Sequence, residues 1–221
     1  MHRRLAFLHT SPVHVETFDS LATAIDSTIQ VEHVVSEELL AEAQRVGSDD
    51  ASLIKRIQAA MTGAAEGGAR VVVCTCSTIG DAAEKTPTMG RFIAARIDRA
   101  MADRAVDLGP KILVVAAVES TLGPTTDLIQ NSATQRHRTV EIKHLLVADA
   151  WQYFMRGDRG EYIRCIAATV VAAVPNADII VLAQASMAPA AATLNEQLGI
   201  KVLSSPLLGV QVAIEQIQGK T

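Results

Sequence analysis

The chain has 221 residues, 49% hydrophobic and 20% charged, a balance that suits a folded globular protein with a full core and excludes a disordered one. Its net charge of -4 lacks the basic excess expected for nucleic acid or an acidic membrane surface. Three cysteines make no disulfide framework, no stretch approaches the roughly 18 apolar residues of a spanning helix, and the apolar run within MHRRLAFLHTSP is shorter than the about 7–15 residues of a signal-peptide core, so the expected compartment is cytoplasmic.

In chain order, residues 5–9 read as a short strand, Thr10-Ser11-Pro12 as a turn and residues 13–24 as a helix. Residues 28–35 form a second strand, and Ser36 is placed to cap a helix opening on Glu37 and Glu38. A longer helix spans 52–65, with Leu53, Ile57, Ala60 and Met61 on one face, and ends at Glu66-Gly67-Gly68-Ala69. Then comes RVVVCTCSTIG, residues 70–80. Its β-branched run does not alternate, as expected of a strand covered on both faces, and Ser77, Thr78 and Gly80 mark the turn at its carboxyl end.

Residues 87–90 interrupt the chain, and 92–106 resume as a helix of alanine and arginine. Residues 111–118, KILVVAAV, are another buried strand, followed by the polar turn Ser120-Thr121-Leu122-Gly123-Pro124-Thr125-Thr126 and a helix. Residues 140–147 read as a strand, 162–174 as an apolar helix and 178–183 as a strand ended by Gln184, Ala185 and Ser186. Val202, Leu203 and Ser204-Ser205-Pro206 lead into a last helix reaching residue 217.

Strand and helix alternate throughout, so the fold class is α/β with parallel sheets, Rossmann-like or flavodoxin-like. The order also repeats. The strand ending at Cys76 meets the one ending at Gln184 at an offset of 108, and His33-Val34-Val35 meets His144-Leu145-Leu146 at 111. Two pseudo-symmetric lobes around a shared cleft follow, residues 1–110 plus 203–221 and residues 111–202.

Four turns carry small hydroxyls just past strand ends, at Thr10-Ser11, Ser77-Thr78, Ser120-Thr121 and Ser186. Helix starts behind such turns favour an anion, and together these hydroxyls fit a small carboxylate; singly, each also reads as a helix cap. Cys76, at the same kind of place, is a candidate nucleophile, base or metal ligand, with a thiol pKa expected to be lowered by the following helix. Cys74 and Cys165 read as inert core. The pair of thiols lacks further ligands at metal-binding spacing and the histidines are scattered, so no metal site is expected. No GxGxxG follows the first strand and no P-loop is present, which argues against a dinucleotide or nucleotide.

LHTSP, VVVCTCSTIG, VVAAVESTLGPT, DIIVLAQASMAP and the closing SSPLLG, in this order and spacing, resemble the aspartate/glutamate/hydantoin racemase superfamily over nearly the whole chain. The resemblance implies two α/β lobes with the active site between them, no cofactor, often a homodimer, and one cysteine after the matching strand of each lobe. In that family one thiolate removes the Cα proton and the other thiol delivers a proton to the opposite face. Cys76-Ser77-Thr78 matches the first motif with Ser in place of Asn, Thr121 matches a threonine of the family's fourth-strand turn, and Thr10 falls where the family has a small residue contacting the substrate. The second motif departs from the pattern, with Gln184-Ala185-Ser186 standing in place of Cys-Thr-His. His9 also occupies the place of an acidic helper.

Gln184 cannot exchange protons at neutral pH, which removes the two-thiol route. The expected function is cofactor-independent proton transfer at the α-carbon of a small carboxylate or amino acid. Cys76 is its catalytic residue, and Thr10, Ser11, Ser77, Thr78, Thr121 and Ser186 hold the substrate and its developing charge. The alternatives are a one-cysteine decarboxylase, a cis-trans isomerase using Cys76 as nucleophile, and a binding protein for small acids without catalysis.

Overall fold

The computed structural model describes residues 3–173 and 176–220. The chain divides into two compact units, residues 1–98 with 206–221, and residues 99–205.

In the first unit, β1 (Arg4–His9), β2 (Gln30–Val35), β3 (Val71–Cys74) and β4 (Ile93–Arg96) form one parallel sheet in the order β2-β1-β3-β4. Five of the six residues of β1 and all four of β3 are buried, as their unbroken apolar runs require of central strands. The edge strand β2 carries mixed residues and is only half-buried. On one face of the sheet Ala6, Leu8, Val72 and Cys74 pack with Leu39 and Ala43 of α2 (Glu37–Val46) and with Leu53, Ile57 and Met61 of α3 (Ala51–Ala64). These helical residues recur at the three- and four-residue spacing that makes one apolar stripe. On the other face Phe7 meets Phe18 of α1 (Val15–Ile25), with ring centroids 5.1 Å apart. A five-residue helix, α4 (Gly80–Glu84), follows β3. The last helix, α10 (Ser205–Gln218), contributes to this unit, and Gly209 lets it approach closely: a Cβ there would run into the backbone carbonyl of Ile97.

The second unit repeats the plan. Its strands β5 (Lys111–Ala116), β6 (Glu141–Leu146), β7 (Ile179–Leu182) and β8 (Lys201–Ser204) are parallel in the order β6-β5-β7-β8. Leu113, Val115, Ile180, Leu182 and Val202 pack with Tyr162, Ile166 and Val170 of α8 (Arg159–Ala172) and Leu194 of α9 (Ala190–Leu198). The register places the repeat: Leu8 pairs with Cys74 and Val115 with Leu182, so the third strands stand 108 residues apart and the first strands 107. The second strands, starting at Gln30 and Glu141, keep the offset of 111.

Several expectations change. Residues 92–106 are not one helix; Ile93–Arg96 is a strand beside β3, and only α5 (Arg99–Leu108) is helical. The sequence IAAR has helix-forming alanines and a single β-branched residue, and pairing with β3 overrides that local preference. Helix α5 packs with α6 (Leu122–Gln135), where Arg136 reaches Asp103 at 3.0 Å and Asp107 at 3.2 Å. The second unit therefore begins at Arg99 and not after residue 110. A helix unmarked in the sequence reading, α7 (Ala148–Met155), lies between β6 and α8. Ser36 stands at the start of α2 without a capping bond, whereas Asp50 caps α3 through the N–H groups of Ser52 (3.0 Å) and Leu53 (2.9 Å). The expected end of a helix at Val174 lies outside the described residues.

Candidate active site

The central strands β1 and β3 bring two turns side by side at their carboxyl ends. The last paired residues are Leu8 and Cys74, and the N–H of Thr75 donates to the Leu8 carbonyl at 3.0 Å. The chain then leaves the sheet at Cys76, a half-buried residue. The Cys76 sulfur receives the Thr10 hydroxyl from the end of β1, the Thr78 hydroxyl, and the backbone N–H groups of Ile79 and Thr78. Such donors are worth more to a thiolate than to a thiol, because charge-assisted hydrogen bonds are roughly twice as strong as neutral ones.

Burial nevertheless dominates. It pushes the Cys76 thiol above its ordinary range, and the Thr10, Ile79 and Thr78 donors recover only part of the rise. The expectation of a lowered pKa is therefore overturned: α4 is a single short turn, and desolvation outweighs it. Cys74 is fully buried in the core, also raised by burial, and its Sγ lies 3.6 Å from the Cys76 carbonyl.

The turn is held from beneath by a buried ion pair. Arg96 Nε and Nη2 donate to the two carboxylate oxygens of Asp98 at 2.7 and 3.1 Å, and Nη2 also donates to the Ser77 carbonyl at 3.2 Å. The Ser77 hydroxyl bonds Asp98. Although burial opposes it, the Arg96 guanidinium keeps the Asp98 carboxyl below its usual range, so both groups are charged. Gly80 is the residue this arrangement needs, because a Cβ there would lie 2.8 Å from Arg96 Nε and 2.9 Å from its Cζ. Ser77 thus has its side chain turned to Asp98, and Ser11 is half-buried with no capping bond.

On the opposite face of β1, His9 is fully buried. Its Nδ1 lies 2.8 Å from the Thr75 hydroxyl and its Nε2 lies 2.9 Å from His33 Nδ1. His33 Nε2 faces Asp19 at 3.7 Å. Burial, with His33 and His14 nearby, lowers His9 to about 3, so the ring is neutral.

In the second unit, Gln184 follows β7 and its Oε1 accepts the Ala117 N–H at 2.6 Å. Thr121 is buried at the start of α6, and the Ser186 hydroxyl lies 2.9 Å from that of Tyr162. Of the sequence candidates, Thr10, Cys76, Ser77 and Thr78 are therefore brought together in the first unit, while Thr121, Gln184 and Ser186 sit at the β5 and β7 ends of the second. Arg96, Asp98 and Thr75 were not anticipated. A cavity of about 210 Å³ lined by Lys111, Lys143, His144 and Asn176, among others, opens at the amino ends of β5 and β6, away from these turns. Among the described residues no group of His, Cys, Asp and Glu could hold a metal ion, and no helix is long and apolar enough to cross a membrane.

The sequence matches no protein-family model and no curated protein. The fold does have close likenesses among solved structures. The aspartate racemase of Picrophilus torridus is 14% identical, with 98% of this chain and 94% of that one covered at a TM-score of 0.70. A glutamate racemase from Francisella tularensis in complex with D-glutamate is 11% identical, with 99% and 82% covered at a TM-score of 0.70. A mutant arylmalonate decarboxylase in a sulfate-associated form is 13% identical, with 99% and 94% covered at a TM-score of 0.60. The two-unit α/β fold is thus that of aspartate and glutamate racemases, in agreement with the resemblance its motifs carry.

Proposed function

We propose that the chain is a cofactor-independent enzyme of the racemase type that moves a proton at the α-carbon of a small carboxylate or amino acid, with the Cys76 sulfur as acid and base. The observation that carries this reading is the Cys76 sulfur beside four donors, from Thr10, Thr78 and the Ile79 and Thr78 N–H groups, on the fold of aspartate and glutamate racemases. Those donors lower the cost of forming the thiolate, which takes the Cα–H proton and leaves the electron pair delocalised onto the carboxylate as an enolate. The thiol then returns its proton to the same carbon. Thr10, Ser11 and Thr78 of the first unit hold the substrate, and Ser77 acts through its turn.

A single thiol works on one face of the carbanion. Gln184 stands where the resemblance places a second cysteine, and its amide has no proton to trade at neutral pH. The expected reaction is exchange of the Cα hydrogen with solvent with retention of configuration, or protonation on one face after loss of carbon dioxide. Incubation in D2O with a panel of amino acids, dicarboxylates and arylmalonates, followed by NMR and chiral chromatography, tests this. Deuterium uptake or decarboxylation that disappears in Cys76→Ala is the expected result; turnover unchanged in that variant refutes the role of the thiol.

Gln184 and the raised Cys76 pKa also favour a second reading, a small-acid binding protein without catalysis. It predicts thermal stabilisation by a carboxylate and no exchange with any member of the panel.

A further inference from the structure

We propose that the hydrogen bond between His9 and Thr75, backed by His33, positions Cys76 by fixing the register at which the Thr10 hydroxyl meets the Cys76 sulfur. This rests on the reading of Cys76 as the working thiol.

The argument is one of successive rungs. Leu8 and Cys74 form the last rung of the β1–β3 ladder. Beyond it the backbone offers only the Thr75 N–H to the Leu8 carbonyl. Side chains then take over. His9 Nδ1 meets the Thr75 hydroxyl on one face at 2.8 Å, and one residue further Thr10 meets Cys76 on the other. Side chains alternate faces along a strand, so these two contacts are consecutive residues of the same two chains. A slip at the His9–Thr75 rung would move the Thr10–Cys76 rung with it.

The His9 rung is built to resist such a slip. His9 is fully buried and Thr75 is 3% exposed, so breaking the bond leaves His9 Nδ1 buried without its partner and the Thr75 hydroxyl with only its longer bond to the Leu8 carbonyl, at 3.3 Å. The imidazole cannot turn away, because its second nitrogen is taken by His33 at 2.9 Å and its ring lies against Phe7, Phe18 and His14. Its neighbours from every side are thus β2, α1, the turn before α1 and the end of β3.

The duplicated unit supplies an internal control. There Ala183 donates its N–H to the Val115 carbonyl at 2.9 Å, as Thr75 does to Leu8. The two positions that form the polar rung in the first unit are held by Ala116 and Ala183 in the second, which carries Gln184 in place of a thiol. The topology therefore closes without a polar rung, and the rung accompanies the cysteine. In the second unit the Gln184 side chain itself reaches the backbone of the neighbouring strand end, at Ala117.

The test is the pH profile of Cys76 alkylation by iodoacetamide in the intact chain, with the modified peptide identified by mass spectrometry and Cys165 as internal reference. His9→Ala, which installs the residue of the second unit, is expected to shift the Cys76 profile upward by about one pH unit and slow alkylation about tenfold at pH 7.5. Thr75→Val keeps the shape and removes the hydroxyl; it gives the same shift, and Thr75→Ser restores the original profile. A residue that only stabilised the fold would lower the melting temperature and leave the profile in place. Unshifted profiles in folded His9→Ala and in Thr75→Val overturn the proposal. Alkylation needs no substrate, so failure of the proposed function, seen as turnover unchanged in Cys76→Ala, is read separately.

Discussion

Acid should weaken this protein through its buried imidazoles, His9 above all, before the Asp98 and Asp26 carboxylates are titrated. His9 is fully buried and held at about 3, against an ordinary value of 6.5. Between these two values the unfolded chain binds a proton that the folded chain refuses, so stability falls as pH falls and is fully present only above 6.5. Each unit of separation corresponds to about 1.4 kcal/mol, and integration from pH 7.5 down to pH 5 gives a loss of about 2 kcal/mol from His9 alone. His33, also lowered by burial although Asp19 pulls the other way, adds in the same direction. Asp98 and Asp26, whose folded values lie below the ordinary 3.8, lose their contributions only at lower pH and stay outside this window. The assay is urea unfolding at pH 7.5 and pH 5 followed by far-UV circular dichroism, with Trp151 fluorescence reporting the second unit. Wild type should lose about 2 kcal/mol more than His9→Ala between the two conditions. Equal losses in the two proteins would show that burial of a neutral His9 does not govern the acid response, and the account of the His9 environment would fail.

Gly80→Ala should cost about 1–3 kcal/mol, read as a lower urea midpoint, because its Cβ meets an Arg96 guanidinium that Asp98 and the Ser77 carbonyl hold in place. Asp98→Asn leaves the Arg96 charge buried without a counter-ion and should cost about 3–5 kcal/mol in the same measurement; a loss below 1 kcal/mol would mean that water reaches the pair. Gln184→Cys restores a thiol where the resemblance expects one, and should add racemisation to whatever Cα exchange the wild type performs. Chiral chromatography decides: exchange that keeps its configuration in this variant counts against the two-thiol reasoning.

Much of the fold was legible because its central strands are extreme. VVVC and IIVL have no polar residue to confuse their period, and polar or small residues mark the turns beyond them, Ser77, Thr78 and Gly80 in one half and Gln184 and Ser186 in the other. The short strand IAAR carried no such signal, since alanine and arginine favour helix and only its place beside β3 makes it a strand. Losing that strand hid the ion pair as well. Read as helix, Arg96 and Asp98 two residues apart cannot face each other, whereas at the end of a strand running into a turn they form a bidentate pair at 2.7 and 3.1 Å. His9 was visible as a residue but not as a contact, because its partners lie 66 and 24 residues away in the chain. The direction of the Cys76 pKa was missed for a related reason: a helix start can be guessed from sequence, but the burial that outweighs it cannot.

The two halves also show which features of a duplicated unit the fold demands and which it leaves open. Both close their central strands with the same backbone hydrogen bond, Thr75 to Leu8 at 3.0 Å and Ala183 to Val115 at 2.9 Å. Past that point they diverge in chemistry while the chain path is retained. In the first unit the next side chains are His9, Thr75, Thr10 and Cys76, every one with a polar partner; in the second they are Ala116, Ala183, Ala117 and Gln184. Burying the polar rung costs desolvation that two alanines avoid, and a buried histidine adds the acid sensitivity worked out above. A fold that closes equally well with alanine gives stability no reason to keep that cost. Under the proposed function the reason lies one residue further along each chain, where the Thr10 hydroxyl must find the Cys76 sulfur at a fixed distance, whereas a glutamine bonded to the backbone needs no such guide.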